Sequence, residues 1–271
     1  MPELPEVETI ANGVHRRIHG DVIRSAWFSS FTQPFKTPAD EMASALAGRR
    51  IDRVRRVGKH IVFDLADPRS RQAHPGQWLV HLGMTGRLLV SAPEVPLPPH
   101  THAVLDLASG RQLRFVDPRR FGRLALVHDF SGPGHEPLTI APDDFAALFR
   151  GRKLAIKAAL LNQSLLHGVG NIYADESLFR AGIRPTRPAG RLTRPRLDRL
   201  RLALRSVLRA AIRAGGSSVS DYVDADGSEG FFQIQHCVYA REGEPCRVCG
   251  TPIRRIVLGG RGTHFCPHCQ R

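Results

Sequence analysis

Near the end of the chain, Cys246, Cys249, Cys266 and Cys269 form two Cys-x2-Cys pairs separated by sixteen residues. Paired thiols at this spacing fit a four-cysteine zinc site. The insert, Thr251–Phe265, is of hairpin length, and a segment that small cannot bury a core of its own. Bound zinc would therefore supply its folding free energy. Four thiolates fill a tetrahedral shell and leave no position for water, so one structural zinc ion is expected and no catalytic metal. Cys237, the fifth cysteine, stands outside the pattern and reads as a buried apolar residue. His264 and His268 lie close by, but the cysteine set is already complete.

The remaining 240 or so residues, roughly, must fold without that clamp, and at 271 residues in total the chain is long enough for two domains and a sizeable core. The formal net charge is +14, which makes a polyanion the first partner to expect, nucleic acid above all. The charge is concentrated. Residues 150–213 hold 15 Lys and Arg against three acids, Asp175, Glu176 and Asp198. A charged helix face is as a rule simply solvated, so these arginines are not each assigned to a phosphate. No apolar run reaches the roughly 18 residues of a membrane span, so no membrane partner is expected. The first residues are acidic where a signal peptide would be basic and then apolar. A cytoplasmic location follows, and there five cysteines argue for metal or free thiol over disulfides.

Hydrophobic period divides the chain. Leu4, Val7, Ile10, Ala11, Val14 and Ile18 make one helical stripe that Gly20 ends. From Asp21 to about His128, short β-rich runs recur at Val22–Phe28, Ile51–Val57, Ile61–Leu65, Trp78–Leu82, Leu88–Val90, Ala103–Leu107, Gln112–Val116 and Leu124–Val127. A short helix near Ala39–Ala47 interrupts them. This pattern predicts an antiparallel sandwich or barrel. Asp129–Pro142, rich in Gly and Pro, reads as a connection. Helices are then expected at Asp143–Arg150, Leu154–Leu161, Ala174–Arg180 and Thr193–Arg213, the last capped by Thr193. Between two of them, Gly168-Val169-Gly170-Asn171-Ile172-Tyr173 is either a plain turn or a place where backbone N–H groups meet a phosphate. Gly215–Gly230 reads as a mobile loop or a linker.

The opening Met1-Pro2-Glu3-Leu4-Pro5-Glu6 has two readings. Proline and acids favour a helix start. If Met1 is removed, however, Pro2 presents a secondary amine of low basicity, with a reference pKa of roughly 7.7–8 for an α-amino group. Its attack on an anomeric carbon would give an iminium, an electron sink. Glu3 lies one residue away to supply a proton, and Glu6 shares its side of the helix at i,i+3 as a possible supporting carboxylate. Near the turn of the cysteine-bracketed hairpin, Gly259-Gly260-Arg261-Gly262-Thr263 puts an arginine where it can reach a phosphate or a base.

These pieces together resemble the bacterial formamidopyrimidine-DNA glycosylases, also called MutM. The resemblance covers essentially the whole chain. It runs through Met1–Thr9, Gly58-Lys59-His60, His81-Leu82-Gly83-Met84-Thr85-Gly86, Asp117-Pro118-Arg119-Arg120-Phe121-Gly122, Gly168–Ala174, Gly243–Gly250 and Phe265-Cys266-x2-Cys269-Gln270. It implies an α+β multidomain fold: an N-terminal helix on an antiparallel β-sandwich (1–130), a linker (131–142), a helix–two-turn–helix domain (143–234, with a lesion loop at 215–230) and a zinc finger (235–271). It implies a monomeric, nucleoid-associated base-excision repair enzyme. Such an enzyme excises oxidised purines from damaged duplex DNA through a Pro2 Schiff base and then cleaves the abasic strand by β,δ-elimination. By the same resemblance Glu3 is the acid that helps the sugar ring open, Lys59 transfers a proton and touches a phosphate, and Arg261 serves δ-elimination. His100, Arg119, Arg152 and Asn171 fall where the family contacts DNA, although the family more often has a lysine-rich stretch near Arg152.

A damaged base must leave the stack to be reached, and something must fill the gap. Met84, Arg119 and Phe121 suit that task, as apolar wedges and as a donor to the orphaned base. Taken without the resemblance, Met84 and Phe121 read as core residues and Arg119 as a surface ion pair. Two other functions remain open to the sequence. One is an endonuclease VIII-type glycosylase for oxidised pyrimidines, against which Leu4-Pro5-Glu6 and Arg119-Arg120-Phe121 argue. The other is a non-catalytic zinc-finger DNA-binding protein.

Overall fold

The computed structural model describes residues 1–68, 76–217 and 230–271. The chain forms two compact units. One is Met1–Ser131 with Gly215–Gly230, and the other is Gly132–Ala214 with Phe231–Arg271. The first boundary falls inside the Gly/Pro-rich Asp129–Pro142 stretch.

The first unit opens with helix α1 (Leu4–Ile18) and carries, among its described residues, eight strands: β1 (Ile23–Phe28), β2 (Arg50–Val57), β3 (His60–Ala66), β4 (Gly76–His81), β5 (Arg87–Ser91), β6 (Thr101–Leu107), β7 (Gln112–Val116) and β8 (Arg123–Val127), with helix α2 (Ala39–Leu46) after β1. Each strand expected from the sequence forms. They make two antiparallel four-stranded sheets, ordered β1-β6-β7-β5 and β2-β3-β4-β8. One core joins them, with Val54, Phe63, Trp78 and Leu124 from one sheet and Ile23, Leu88, Leu105 and Phe115 from the other. This is a sandwich rather than a closed barrel. The whole apolar stripe of α1 is buried. Burying such side chains contributes about 1.5–3 kcal/mol each, and Arg56 of β2 adds an ion pair to Glu8 of α1 at 2.6 Å. The helix that carries the N-terminus is therefore held to the sheets along its length.

The second unit has helices α3 (Pro142–Ala147), α4 (Ile156–Leu161), α5 (Asn171–Ala181) and α6 (Arg194–Arg213), then a hairpin of β9 (Arg254–Leu258) and β10 (Arg261–Phe265). Three expectations are corrected. Thr193 stands at the N-cap of α6 but its side chain makes no capping hydrogen bond; the start is set by its extended backbone and by a proline in the first turn. Cys237 is half-buried rather than buried, and its amide donates to the carboxylate of Glu176 at 2.9 Å. Helix α5 begins at Asn171, three residues before the expected Ala174, directly after the extended Gly170.

The acids within the basic stretch 150–213 hold this unit together. Glu176 is fully buried and accepts the amides of Cys237, Val238 and Tyr239, so it fixes the chain entering the finger. Asp175 pairs with Lys157 at 2.7 Å, both side chains fully buried. Lys157 also donates to the Gly262 carbonyl and the Thr263 hydroxyl, and Asp175 accepts the amide of His264. This buried pair of α4 and α5 grips β10. The His264 ring also faces Asp175 at 3.3 Å, but Lys157 is the nearer partner and the stronger base, so Lys157→Met should destabilise the second unit by about 3–5 kcal/mol. Adding Asp175→Asn to it should recover part of the loss. Urea unfolding of both variants measures this; a loss under about 1 kcal/mol for the single variant would show that the pair is not what holds the hairpin.

Candidate nucleic-acid and catalytic site

Each unit carries part of the expected site. In the first, Pro2, Glu3 and Glu6 are all buried. Glu3 is the N-cap of α1, and the two glutamates form a reciprocal capping box: the Glu3 carboxylate accepts the Glu6 amide, and Glu6 accepts the Glu3 amide at 2.8 Å. Such a box satisfies two otherwise orphaned N–H groups of the first helical turn. The other Glu6 oxygen accepts the amide of Ser217, also at 2.8 Å. Glu6 thus ties the start of α1 to the head of the 215–230 segment. The bulk of the expected lesion loop, residues 218–229, lies outside the described residues.

Lys59 sits in the two-residue turn between β2 and β3, where Val57 pairs with His60. Gly58 before it has φ +61°, the positive φ that tight hairpins require at their first central residue. Lys59 is buried to 9% relative exposure, so a rigid hairpin holds its stem. Beside it, His60 and His81 face each other across β3 and β4 with ring centroids 4.8 Å apart. His81 accepts the Gly83 amide on Nδ1. Desolvation, followed by the nearby His60, Lys59 and Arg123, pushes the pKa of His81 down to about 4. It is therefore neutral at physiological pH, and the lysine next to it faces no added charge there.

Met84, Arg119 and Phe121 are exposed, not core: Met84 is 44% and Phe121 52% accessible. Arg119 lies over the Phe121 ring, 4.6 Å from its centroid, and has no ion-pair partner among the described residues. One buried group organises all three. The Asp117 carboxylate accepts the Thr85 hydroxyl at 2.6 Å, the Gly122 amide at 2.7 Å and the Arg119 amide at 3.3 Å. Its own amide donates to the His100 carbonyl at 2.9 Å. The loops meet so closely that a Cβ on Gly83 would stand 2.5 Å from the Phe121 carbonyl carbon. Sequence reasoning quoted the Asp117–Gly122 motif yet passed over its aspartate; the signal was an acid followed by Pro and two arginines.

In the second unit, Asn171 opens α5 and its side-chain amide donates to the Gly262 carbonyl at 3.0 Å. Arg261, exposed, is the first residue of β10. It follows a Gly259-Gly260 turn with φ of +56° and +72°, so it leaves a tight hairpin turn rather than a slack glycine loop. Asn171 is thus bonded to the residue that follows Arg261. Arg152 is not joined to them by any described contact; its guanidinium folds back onto the Leu148 carbonyl at 2.6 Å.

Cys246, Cys249, Cys266 and Cys269 bring their sulfur atoms within 4.8 Å of one another. The Cys249–Cys266 and Cys246–Cys269 pairs are 3.5 and 4.0 Å apart. Sulfurs about 2.3 Å from a tetrahedral zinc lie about 3.8 Å apart, so this donor set fits zinc. The amides of Val248 and Cys269 already point at thiol sulfurs at 3.4 Å. The apolar cluster around it, Val238, Ile253 and two of the cysteines against Phe179, is too small to fold the segment by itself.

The sequence matches three family models: the formamidopyrimidine-DNA glycosylase N-terminal domain over residues 1–124, the helix–two-turn–helix domain of the same enzymes over 133–223, and the zinc finger found in FPG and IleRS over 243–271. A relative from Solibacter usitatus, a formamidopyrimidine-DNA glycosylase, is 46% identical over 275 residues, with all of both chains covered. Among solved structures, MutM (Fpg) from Thermus thermophilus is 42% identical with a TM-score of 0.86, covering 99% of this chain and 98% of that one. A Lactococcus lactis Fpg variant, in complex with DNA containing Fapy-dG, is 32% identical with a TM-score of 0.90 over all of both chains.

The depressed His81 pKa makes a pH prediction. The folded state binds fewer protons than the unfolded chain between the unfolded value of 6.5 and the folded value of about 4. Stability contributed by this group is therefore complete above pH 6.5 and lost as pH falls toward 4, by up to about 3 kcal/mol. His81→Gln should flatten the pH dependence of urea midpoints over that window. An unchanged slope in the variant would contradict it.

Proposed function

We infer the reaction from a premise the matches make plain: the chain belongs to the formamidopyrimidine-DNA glycosylase family. It is a base-excision repair enzyme, a bifunctional DNA glycosylase and abasic-site lyase acting on damaged duplex DNA, with oxidised purines as its lesion class. The observation that carries this reading is a proline at position 2, buried, on a helix start that the Glu3–Glu6 box holds in place. No helix among the described residues is long and apolar enough to cross a membrane. The relatives are bacterial and the substrate is DNA, which supports a cytoplasmic, nucleoid-associated protein.

The residue roles are assigned as follows. Met1 is removed, and the Pro2 amine then attacks C1′ of a flipped-out nucleotide. The C1′–base bond breaks, the base leaves with a proton, and loss of the Pro2 amine proton leaves an aminal at C1′. Glu3 then protonates the ring oxygen, the C1′–O4′ bond breaks, and the nitrogen lone pair forms the iminium that joins Pro2 to the opened sugar. Loss of a C2′ proton, assisted by Lys59, expels the 3′ phosphate. Loss of a C4′ proton then expels the 5′ phosphate, with Arg261 stabilising the departing anion. Water finally frees the sugar fragment from Pro2.

Met84, Arg119 and Phe121 fill the vacated stack, Arg119 bonding the orphaned partner base. His100, Asn171 and Arg152 hold phosphates. Asn171 keeps a second N–H for this beyond the one given to Gly262. One zinc ion on the four cysteines holds the hairpin that presents Arg261; the elimination chemistry itself calls for no metal.

The test compares duplexes carrying 8-oxoguanine or an oxidised pyrimidine, with the product ends resolved on a gel. The wild type should cut the purine-lesion strand faster and leave phosphates on both sides of a one-nucleotide gap. Arg261→Gln should stop after β-elimination, with excision reduced less than tenfold. Faster cutting of the pyrimidine duplex would move the protein to the endonuclease VIII-type reading. Full δ-elimination by the variant would remove Arg261 from the mechanism.

A further inference from the structure

At the far end of the second unit from the Asn171–Arg261 pair lies an arginine-lined concavity of about 490 Å³, bounded by Arg184, Thr186, Arg187, Pro188, Arg191 and Arg271. Two separate elements set the spacing. Helix α5 starts at Asn171 and ends at Ala181, just before Arg184, a length of about 16 Å for eleven residues. Strand β10 starts at Arg261 and ends at Phe265, about 13 Å on. Asn171 bonds to Gly262 at one end, and Arg184 stacks over the Phe265 ring at the other, 5.2 Å from its centroid. Both elements therefore run between the two places, which separates the concavity from Asn171 and Arg261; it adjoins the backbone of Arg152, a third proposed phosphate contact, whose guanidinium turns away onto the Leu148 carbonyl and does not line it.

The ion pairs nearby leave these four guanidiniums out, and the concavity brings them together. Arg180 is paired with Glu176 at 3.1 Å, and Arg194 is paired with both Asp143 and Asp198. Arg184, Arg187, Arg191 and Arg271 have no ion-pair partner among the described residues, and no carboxylate side chain lines the concavity. The strap that presents three of them is rigid. The carbonyls of Pro185 and Arg187 accept the amides of Lys157 and Ile156, while the amides of Ala189 and Gly190 donate to Leu154 and Arg152. A Cβ on Gly190 would stand 2.7 Å from the Arg152 amide nitrogen, so the two segments are in direct backbone contact. The Arg184 amide is held by the Arg271 carbonyl. Like charges around one concavity repel one another, and the arrangement becomes favourable when an anion bridges them. Guanidinium forks fit phosphate oxygens two at a time.

We propose that this concavity is a second phosphate-binding site, taking closely spaced phosphates while the lesion duplex occupies the proposed DNA contacts. Two sources share that chemistry: the backbone of another nucleic-acid segment, and a free polyphosphate. The test uses the full-length, zinc-loaded protein saturated with a short unlabelled duplex that carries a non-cleavable abasic-site analogue. A labelled undamaged duplex is then added and followed by anisotropy. Inorganic tripolyphosphate is titrated by calorimetry into both the saturated and the DNA-free protein.

The saturated wild type should bind at least one of the two probes, and Arg187→Gln with Arg191→Gln should weaken that binding at least tenfold. Single-turnover excision from a short lesion duplex should stay within twofold of wild type. Binding of the second duplex identifies nucleic acid as the source, and binding of tripolyphosphate alone identifies the small anion. Binding of neither probe, or equal binding by the double variant, overturns the site. The DNA-free tripolyphosphate arm makes no use of lesion recognition, so a failure of the lesion reading and a failure of this site give different results.

Discussion

The geometry of the first unit depends on a pair of carboxylates at the start of α1. A chain terminus ordinarily frays, and a terminal amine that frayed could not attack one atom of a bound sugar. Here Glu3 and Glu6 cap the helix reciprocally, and the apolar stripe from Leu4 to Ile18 is buried beneath them. A capping interaction contributes about 1 kcal/mol, a small sum beside the burial of the stripe. What the box adds is direction: it sets where the chain enters the helix and hence where Pro2 points. Glu6 then uses its second oxygen on Ser217, so the residue that fixes Pro2, the proposed nucleophile, also fixes the head of the 215–230 segment.

The same economy recurs elsewhere. Asp117 is a fully buried carboxylate whose partners lie on the loops bearing Met84, Arg119 and Phe121 and beside His100. The proposed wedge role needs these side chains exposed and yet fixed, and side chains on loops are fixed only if the loops are. In the second unit Lys157 and Asp175 do for β10 what Asp117 does for these loops. Ion pairs buried this deeply are weak sources of net stability but strong specifiers of one arrangement when every member is satisfied. Metal at the four cysteines would close the far end of the same hairpin.

Much of this was legible in the sequence, for physical reasons that differ by element. The short β-rich runs such as Ile61–Leu65 and Gln112–Val116, buried nearly throughout, and the helical spacing of Leu197, Leu200 and Leu204 follow from burial, so strands and helices lie close to where the sequence puts them. The cysteine spacing is a statement about geometry and was equally plain. Periodicity is blind to buried polar groups. Asp117, Lys157, Asp175 and Glu176 read as ordinary charges, because the partners that make them structural are far away in sequence. Thr193 shows the reverse failure: a residue of the right type at the N-cap that makes no cap hydrogen bond. Met84 and Phe121 looked like core by residue type, and only their exposure in the fold separates a wedge from a core side chain.

The central claim is that the amine of Pro2 carries the chemistry, and covalent trapping tests it most directly. Protein shown by intact mass to lack Met1 and to hold zinc would be incubated with an 8-oxoguanine duplex in the presence of borohydride, and the cross-linked peptide sequenced by mass spectrometry. The account predicts a reduced adduct on the nitrogen of Pro2, absent from protein that keeps one residue ahead of it. An adduct on a lysine such as Lys59, or equal trapping by the extended protein, would contradict it.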